Sequence, residues 1–222
     1  MSWCYADRRH AGRVLAASFR HYAGRPDVVV LALPRGGVPV GFEISRQLGA
    51  PLDVYVVRKI GSPFDPEVAL GAVGSGGVQV LNRELIDALR LRNEVVSATA
   101  ARERAALLED ERRWRGARPA ERVSGKTVLL VDDGLATGAS MRAAIAGLQL
   151  RGPARIIGAV PVAATAACEE LHDELDELVC AFTPDRFEAV SDYYDDFEPV
   201  SDDDVRDMLA AGEHPVIPVE GP

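Results

Sequence analysis

Two adjacent carboxylates, Asp132 and Asp133, follow the apolar run 128–131 and precede a loop of glycine, alanine and hydroxyl residues. The apolar run predicts a buried strand, and a helical pattern begins after the loop. Such a loop can bind a phosphate group on its backbone N–H groups and hydroxyls, because the helix dipole favours an anion there. The alternative is an ordinary turn in which Ser140 caps the helix. The two carboxylates beside the loop could accept hydrogen bonds from vicinal hydroxyls of a ligand whose phosphate binds to the loop. The stretch therefore favours a ribose 5-phosphate as the ligand.

A second candidate loop, Arg35-Gly36-Gly37, follows the earlier apolar run 28–33. Paired glycines allow a backbone to approach a phosphate closely, and the next helix adds its dipole. The Arg35 guanidinium can donate two parallel hydrogen bonds to an anion. A tight turn explains the loop equally well when it is considered alone. Together with the double acid, the loop indicates a second contact to an anionic ligand.

Two cations, Arg58 and Lys59, end the apolar run 52–57. The alternative to an anion-binding function is a pair of solvated charges at the end of a strand. The following stretch 60–77 is rich in glycine, proline and serine and is long for a connection, as binding loops and lids often are. Short strands are expected near 69–73 and 78–81. Within this stretch Glu67 is a candidate acid–base residue.

Apolar runs that are typical of buried strands alternate with helical patterns along the chain. This order predicts an α/β fold with a central parallel sheet flanked by helices. Ligands of such sheets bind at the carboxyl ends of the strands. Since Arg35, Arg58, Asp132 and Asp133 all follow predicted strands, we expect one rim of the sheet to carry the site.

The domain organisation follows from the same pattern. Residues 1–182 are expected to form the core, with a charge-rich helical insertion at about 83–115 that has a break near 91–93. Residues 183–211 are expected to form a small separate C-terminal segment, which we call the hood. The stretch 212–222, rich in proline and glycine, predicts a disordered tail.

Composition excludes several classes of protein. The chain of 222 residues carries a net charge of -9, which disfavours nonspecific nucleic-acid binding. Neither a membrane span nor a signal peptide is evident, so a cytoplasmic protein is expected. The three cysteines, Cys4, Cys168 and Cys180, have neither metal-ligand spacing nor the even count of a disulfide framework.

The stretch from Asp132 to Ser140 resembles the signature of type I phosphoribosyltransferases. The resemblance implies the fold of that family over most of the chain. It also implies that Asp132 and Asp133 hold the ribose hydroxyls of phosphoribosyl pyrophosphate (PRPP) and act in catalysis. The positions expected to bind PRPP are Arg35, Gly36 and Gly37 at the pyrophosphate, and Asp132, Asp133, Gly134, Ala136, Thr137, Gly138, Ala139 and Ser140 at the ribose and its 5-phosphate.

The resemblance also implies catalytic functions for Arg58 and Lys59, as basic residues of a mobile loop that closes over PRPP and excludes water. Phe187 matches the residue that stacks on the base in purine enzymes. Ala136 stands where hypoxanthine-guanine enzymes carry an aspartate, so their usual general base is missing. The acid that reads the edge of the base has two candidates, Asp192 and Asp195, and the spacing does not decide between them. The hood aromatics could instead form a small satellite core.

The reaction implied by the resemblance is transfer of 5-phosphoribose from PRPP to a nitrogenous base, with release of pyrophosphate. Magnesium is expected to arrive with PRPP and to have no direct protein ligand. Phe187 and Ala136 slightly favour a purine as the acceptor. The competing hypothesis is a non-catalytic protein that senses PRPP. A homodimer is common in the resembled family, although the sequence does not decide the oligomeric state.

Overall fold

A computed structural model of the chain describes residues 4–65 and 68–212. Glu67 and nearly all of the tail predicted at 212–222 lie outside these residues. The strands of the described residues are β1 (Val28–Ala32), β2 (Leu52–Val54), β3 (Val57–Gly61), β4 (Ala69–Gly74), β5 (Val78–Leu81), β6 (Thr127–Val131), β7 (Arg155–Val162) and β8 (Glu177–Phe182). The helices are α1 (Arg8–Ala16), α2 (Gly37–Leu48), α3 (Arg83–Ala88), α4 (Asn93–Arg115), α5 (Ala139–Gln149), α6 (Thr165–Leu171) and α7 (Asp202–Ala211).

The central sheet has five parallel strands in the order β2-β1-β6-β7-β8. Every residue of β1 and β6 is buried, because helices cover both faces of the sheet. Alternate residues of each strand enter different cores: Val28 and Val30 pack in the core that contains α1 and α2, whereas Val29 and Leu31 pack in the core that contains α5 and α6. The predicted α/β architecture with a parallel sheet is confirmed.

A separate antiparallel sheet is formed by β3, β4 and β5. The expected strands near 69–73 and 78–81 are therefore confirmed, but the interpretation of 60–77 as mainly a long loop was wrong. Arg58 and Lys59 do not lie in a loop, since both belong to β3 and pair with β4. The apolar run 52–57 looked continuous, yet β2 ends at Val54 and the chain then enters the second sheet.

The charge-rich stretch forms two helices, α3 and α4, and the predicted break falls between them at Leu89–Arg92. The C-terminal end of α4 is tied to β2 by a buried ion pair in which Arg115 Nε lies 2.7 Å from Asp53 Oδ1. Arg115 also donates to the Val54 carbonyl oxygen at 2.8 Å. These contacts fix the position of α4 relative to the central sheet.

The acidic stretch after the hood aromatics contains the helix α7, Asp202–Ala211. Ser201 and Asp204 form a capping box at its start, and the Ser201 side chain accepts from the Asp204 N–H. Val205 and Leu209 are buried against the core. Among the described helices, none is long and apolar enough to cross a membrane.

Candidate functional site

The loop after β6 surrounds a small cavity of about 190 Å³, which we call the cradle cavity. Gly138 adopts a left-handed conformation (φ 69°) immediately before α5. In the described part of the chain, no side chain caps α5, so the turn interpretation with Ser140 as the cap was wrong. The residues around the cavity are Asp132, Gly134, Leu135, Ala136, Thr137, Gly138, Ala139, Ser140, Met141 and Val190.

The cradle cavity has the chemical groups of an anion site. The first backbone N–H groups of α5 have no partner within the helix, and the Ala139 N–H donates to the Thr137 hydroxyl at 3.4 Å. Thr137 and Ser140 are both exposed to the cavity and supply hydroxyl donors. An anion placed here would accept from backbone and side-chain donors and would meet the positive end of the helix dipole.

The two signature acids lie at the carboxyl end of β6 and differ in environment. Asp132 lines the cradle cavity, and its Oδ1 accepts from the Asp133 N–H at 2.9 Å. Burial raises the pKa of Asp132 well above its ordinary value, and the charge of Asp133 raises it further. The free protein therefore holds Asp132 in surroundings that disfavour its ionised form.

Asp133 is held by residues that sequence reasoning missed. Arg8 Nε donates to Asp133 Oδ2 at 2.7 Å, and both side chains are largely buried. The Arg8 guanidinium also lies over the Phe197 ring, 3.6 Å from its centroid, and donates to the Glu198 carbonyl oxygen at 2.9 Å. The Tyr194 hydroxyl donates to the main-chain carbonyl of Asp133 at 2.6 Å. The N-terminal helix and the hood thus both contact the second signature acid.

The glycine loop packs against the signature acids. A Cβ atom at Gly36 would lie 2.0 Å from Asp133 Oδ2, and one at Gly37 would lie 2.7 Å from the Val131 carbonyl oxygen. Both glycines are required by this close approach, whatever ligand binds. The peptide bond between Pro34 and Arg35 is cis, and α2 begins directly after the loop, at Gly37.

A larger cavity of about 400 Å³, which we call the arginine cavity, opens beside the glycine loop. Ser140 lines this cavity as well as the cradle cavity, so the two meet at the N-terminus of α5. The residues that line it are Leu33, Pro34, Arg35, Tyr55, Val56, Val57, Arg58, Asp110, Arg113, Trp114, Ser140 and Asp202. The structure therefore brings Arg35 and Arg58 together, although Arg58 belongs to the second sheet and not to the rim of the central one.

Lys59 does not share the cavity of its neighbour. Its side chain is exposed and lines another cavity of about 430 Å³, together with Ser62, Thr99 and Arg102. Since adjacent residues of a strand point to opposite faces, Arg58 and Lys59 are separated by the geometry of β3. The sequence could not show this, because both residues were expected in a loop.

The hood aromatics form a small cluster with Tyr5. Phe187 stacks on Tyr193 with ring centroids 5.6 Å apart and an interplanar angle of 22°. Tyr194 and Tyr5 are buried in the same cluster, so the satellite core considered from the sequence is present. Val190 extends from this cluster to the wall of the cradle cavity. Asp192 Oδ2 accepts from the Ala189 N–H at 3.2 Å. One of the two candidate acids for reading the edge of the base is therefore hydrogen-bonded to the backbone of its own turn.

The described side chains contain no group of three or more histidine, cysteine, aspartate or glutamate residues that could hold a metal ion. Asp132 lines the cradle cavity and is followed in the chain by Asp133, whereas Asp110 and Asp202 line the arginine cavity. Each pair could contact a hydrated Mg²⁺ whose other ligands come from a phosphate-bearing substrate. The residues present fit a cation that arrives with its substrate.

Comparison with known proteins gives a consistent result. A family model described as "Phosphoribosyl transferase domain" matches residues 6–198. The crystal structure of the protein TT1426 from Thermus thermophilus superposes with a TM-score of 0.82 and 45% sequence identity, covering 93% of this chain and 97% of TT1426.

Two proteins of Mycobacterium tuberculosis, from the strains CDC 1551 / Oshkosh and H37Rv, are each 41% identical over 216 residues. Their names give them provisionally as phosphoribosyl transferases. The match covers 94% of this chain and 48% of each mycobacterial protein. The chain therefore corresponds to about half the length of these relatives.

Proposed function

Because the chain belongs to the phosphoribosyl transferase domain family, we propose that it transfers 5-phosphoribose from PRPP to a nitrogenous base and releases pyrophosphate. The observation that carries the proposal is the meeting of two cavities at Ser140, one built as an anion cradle beside two acids and the other bordered by arginines. PRPP has a phosphate at one end, a ribose diol in the middle and a diphosphate at the other. The shape and chemistry of the paired cavities suit a ligand with these three parts.

The 5-phosphate would bind in the cradle cavity. Its oxygens would accept from backbone N–H groups between Ala136 and Ser140 and from the Thr137 hydroxyl. Gly138 has a left-handed φ, and an added Cβ at Gly134 would lie 2.6 Å from Val190 Cγ1, so both positions favour glycine. This anchor would contribute binding energy that orients the reacting ribose carbon.

Asp132 and Asp133 would accept hydrogen bonds from the two ribose hydroxyls. As the bond between ribose C1 and the pyrophosphate oxygen breaks, positive charge develops on the ribose, and negative groups beside it stabilise that charge. Asp132 would be most effective when ionised, and the approach of a developing cation favours that form. Arg8 would keep the Asp133 carboxylate oriented toward the site.

The pyrophosphate would occupy the arginine cavity, where Arg35 and Arg58 would donate to its oxygens. The backbone of Gly36 and Gly37 would lie against it at the start of α2. Lys59, on the other face of β3, would act on the pyrophosphate only through its charge at longer range. These cations stabilise the charge that pyrophosphate gains when it takes the bonding electron pair from C1.

The acceptor nitrogen would then donate its electron pair to C1 and lose its proton, so the products are a ribonucleotide, pyrophosphate and one proton. Bound Mg²⁺ would neutralise part of the pyrophosphate charge. Phe187 favours a purine as the acceptor. Because position 136 is alanine and not aspartate, that purine would be one whose transfer needs no aspartate there. Stacking of the base on an aromatic ring in the hood would contribute about 1–3 kcal/mol.

The direct test is pyrophosphate release from Mg·PRPP across a panel of purine and pyrimidine bases, with a no-base control. We expect release that depends on one base and that is lost in Asp132→Asn. The matched control is Asp27→Asn, which removes an exposed carboxylate paired with Arg25 far along the sequence from the signature.

The outcomes separate the two hypotheses. Base-dependent release by the wild type and by Asp27→Asn supports the transferase. Tight PRPP binding without release in the presence of any base supports the non-catalytic PRPP sensor. If the wild type neither binds PRPP nor releases pyrophosphate, both hypotheses are refuted.

A further inference from the structure

The arginines around the arginine cavity are joined into one chain of ion pairs by two carboxylates. Asp202 lies 3.8 Å from Arg35 and 3.3 Å from Arg113. Asp110 lies 3.8 Å from Arg113 and 3.0 Å from Arg58. Each carboxylate therefore stands between two guanidinium groups, and Arg113 is at the centre of the series.

Arg113 belongs to α4, the long helix for which the sequence offered no definite function. The helix is fixed immediately after this residue, by its next two side chains. Trp114 Nε1 donates to Asp202 at 2.8 Å, and Arg115 forms the buried ion pair with Asp53. Because its neighbours are anchored to α7 and β2, the backbone of Arg113 is held at the wall of the arginine cavity.

We propose that Arg113 is a third pyrophosphate-binding arginine, so that α4 forms one wall of the leaving-group site. The inference rests on the proposed function and extends it to a residue and an element that the signature does not include. A diphosphate presents several charged oxygens, and a guanidinium binds such oxygens through parallel hydrogen bonds. Three guanidinium groups separated by single carboxylates could all donate to one diphosphate.

The existing ion pairs of the three arginines are weak enough for a bound diphosphate to replace the carboxylates. The side chains of Arg35, Arg58 and Arg113 are 47%, 37% and 42% exposed, so their ion pairs are solvated and individually weak. The carboxylates hold the arginines near the cavity, and a diphosphate of higher charge would replace them as the acceptor. The competing explanation is that Arg113 only stabilises α4, through its i,i+4 pair with Glu109 at 3.4 Å.

The test measures binding of three probes by titration calorimetry: Mg·pyrophosphate, ribose 5-phosphate and Mg·PRPP. The variant is Arg113→Gln, which keeps a polar side chain and removes the charge. The matched control is Arg112→Gln on the same helix, because Arg112 is exposed and lines a different, small cavity with Leu108 and Gly116. Thr137→Ala tests the other end of the ligand, since Thr137 lines the cradle cavity and not the arginine cavity.

We expect Arg113→Gln to weaken binding of Mg·pyrophosphate and Mg·PRPP by about tenfold or more, the factor typical of one lost charge-assisted hydrogen bond, and to leave ribose 5-phosphate binding unchanged. Thr137→Ala should show the reverse selectivity, with weaker ribose 5-phosphate binding and unchanged pyrophosphate binding. Arg112→Gln should bind all three probes as the wild type does.

Three results would overturn the inference: wild-type pyrophosphate binding by Arg113→Gln, an equal loss in Arg112→Gln, or an equal loss for ribose 5-phosphate. The first two would reduce Arg113 to a helix ion pair or a long-range charge, and the third would indicate a general structural disturbance. If the wild type turns over PRPP and Arg113→Gln binds pyrophosphate normally, the inference fails and the proposed function stands. If the wild type binds none of the probes, the proposed function fails and the inference with it.

Discussion

Arg8 and Asp133 form a 2.7 Å ion pair across 125 positions of the chain, with 11% and 15% of their side chains exposed. The guanidinium of Arg8 simultaneously covers the Phe197 ring and binds the Glu198 carbonyl oxygen. The first residue of α1, the hood and the signature acid therefore meet at one point. An ion pair so well shielded from water is stronger than a surface pair.

Removal of Arg8 should affect both stability and the pH dependence of activity. We expect Arg8→Gln to cost about 1–3 kcal/mol of unfolding free energy, because Asp133 loses a charge-assisted donor. Burial and the charge of Asp133 raise the pKa of Asp132, while Arg8 lowers it. Without Arg8 that pKa should rise further, so the acid limb of the pH profile of kcat/KM for PRPP should move to higher pH.

The control for this experiment is Arg9→Gln. Arg9 pairs at 2.7 Å with Glu43 of α2, its side chain is about half exposed, and Glu43 keeps Arg13 and Arg46 within 4 Å when Arg9 is replaced. It should lose less stability and keep the wild-type acid limb. An unshifted acid limb in Arg8→Gln, beside reduced stability, would mean that Arg8 is only a structural residue.

Asp132 should lower the stability of the ligand-free protein at neutral pH. Burial, followed by the charge of Asp133, raises its pKa above the ordinary 3.8, so the folded chain binds that proton more tightly than the unfolded chain does. The penalty is absent below the ordinary pKa of 3.8 and grows as pH rises toward the native pKa. Asp132→Asn should therefore raise Tm at about pH 7–8, with a gain that shrinks on acidification.

Substitution of the neighbouring acid, Asp133, should have the opposite effect on Tm. Asp133→Asn weakens the ion pair with Arg8 and should lower Tm at neutral pH, although both variants should lose transferase activity. Thermal unfolding of the two proteins between about pH 4 and pH 8 provides the measurement. A lower Tm for Asp132→Asn across that range would show that burial of its carboxylate carries no cost.

The approach of the glycine loop to Asp133 can be tested by adding a single methyl group. Gly36→Ala would place a Cβ 2.0 Å from Asp133 Oδ2, so the carboxylate or the loop must move by about 1 Å or more. A displacement of that size in a catalytic group typically costs about 100-fold in rate. Steady-state rates per folded molecule should show this loss.

Gly77→Ala is the corresponding control. Gly77 has a left-handed φ of 79° and no other atom within 4 Å of an added Cβ, so the penalty is confined to the backbone, at about 1–2 kcal/mol. Its activity per folded molecule should equal that of the wild type. Wild-type rates in Gly36→Ala would refute the requirement for close packing between the loop and Asp133.

The sequence predicted the signature geometry well because strand, acids, loop and helix follow one another without interruption from Val128 to Ser140. In that stretch, elements that are adjacent in the sequence are also adjacent in space, so the local pattern predicts their arrangement. Arg8, Arg113 and Asp202 reach the site from distant helices, and no local spacing reports such contacts. The end of β2 was misjudged for another reason: Tyr55 and Val56 are apolar and buried although they connect two sheets.

The sequence did contain a signal for α7 that its charge obscured. Ser201 is followed three residues later by Asp204, as in a capping box, and Val205, Met208 and Leu209 recur at helical spacing. The run of aspartates is typical of a solvated surface, yet acids in the first turn of a helix are stabilised by its dipole. In this segment the helical spacing of the apolar residues and the capping box predict the structure better than the acidic composition does.

The cap of α7 should matter for stability and for the arginine cavity, because Asp202 is the first residue of that helix. Ser201→Ala removes the side chain that accepts from the Asp204 N–H and should cost about 1 kcal/mol, or roughly 2–4 °C in Tm for a domain of this size. Ser97→Ala, the same substitution at an exposed interior position of α4, should leave Tm unchanged or slightly raised, since alanine favours helices. Equal Tm values for the two variants would show that the cap contributes nothing. A Tm loss confined to Ser201→Ala, accompanied by weaker Mg·pyrophosphate binding, would link the start of α7 to the arginines that Asp202 holds.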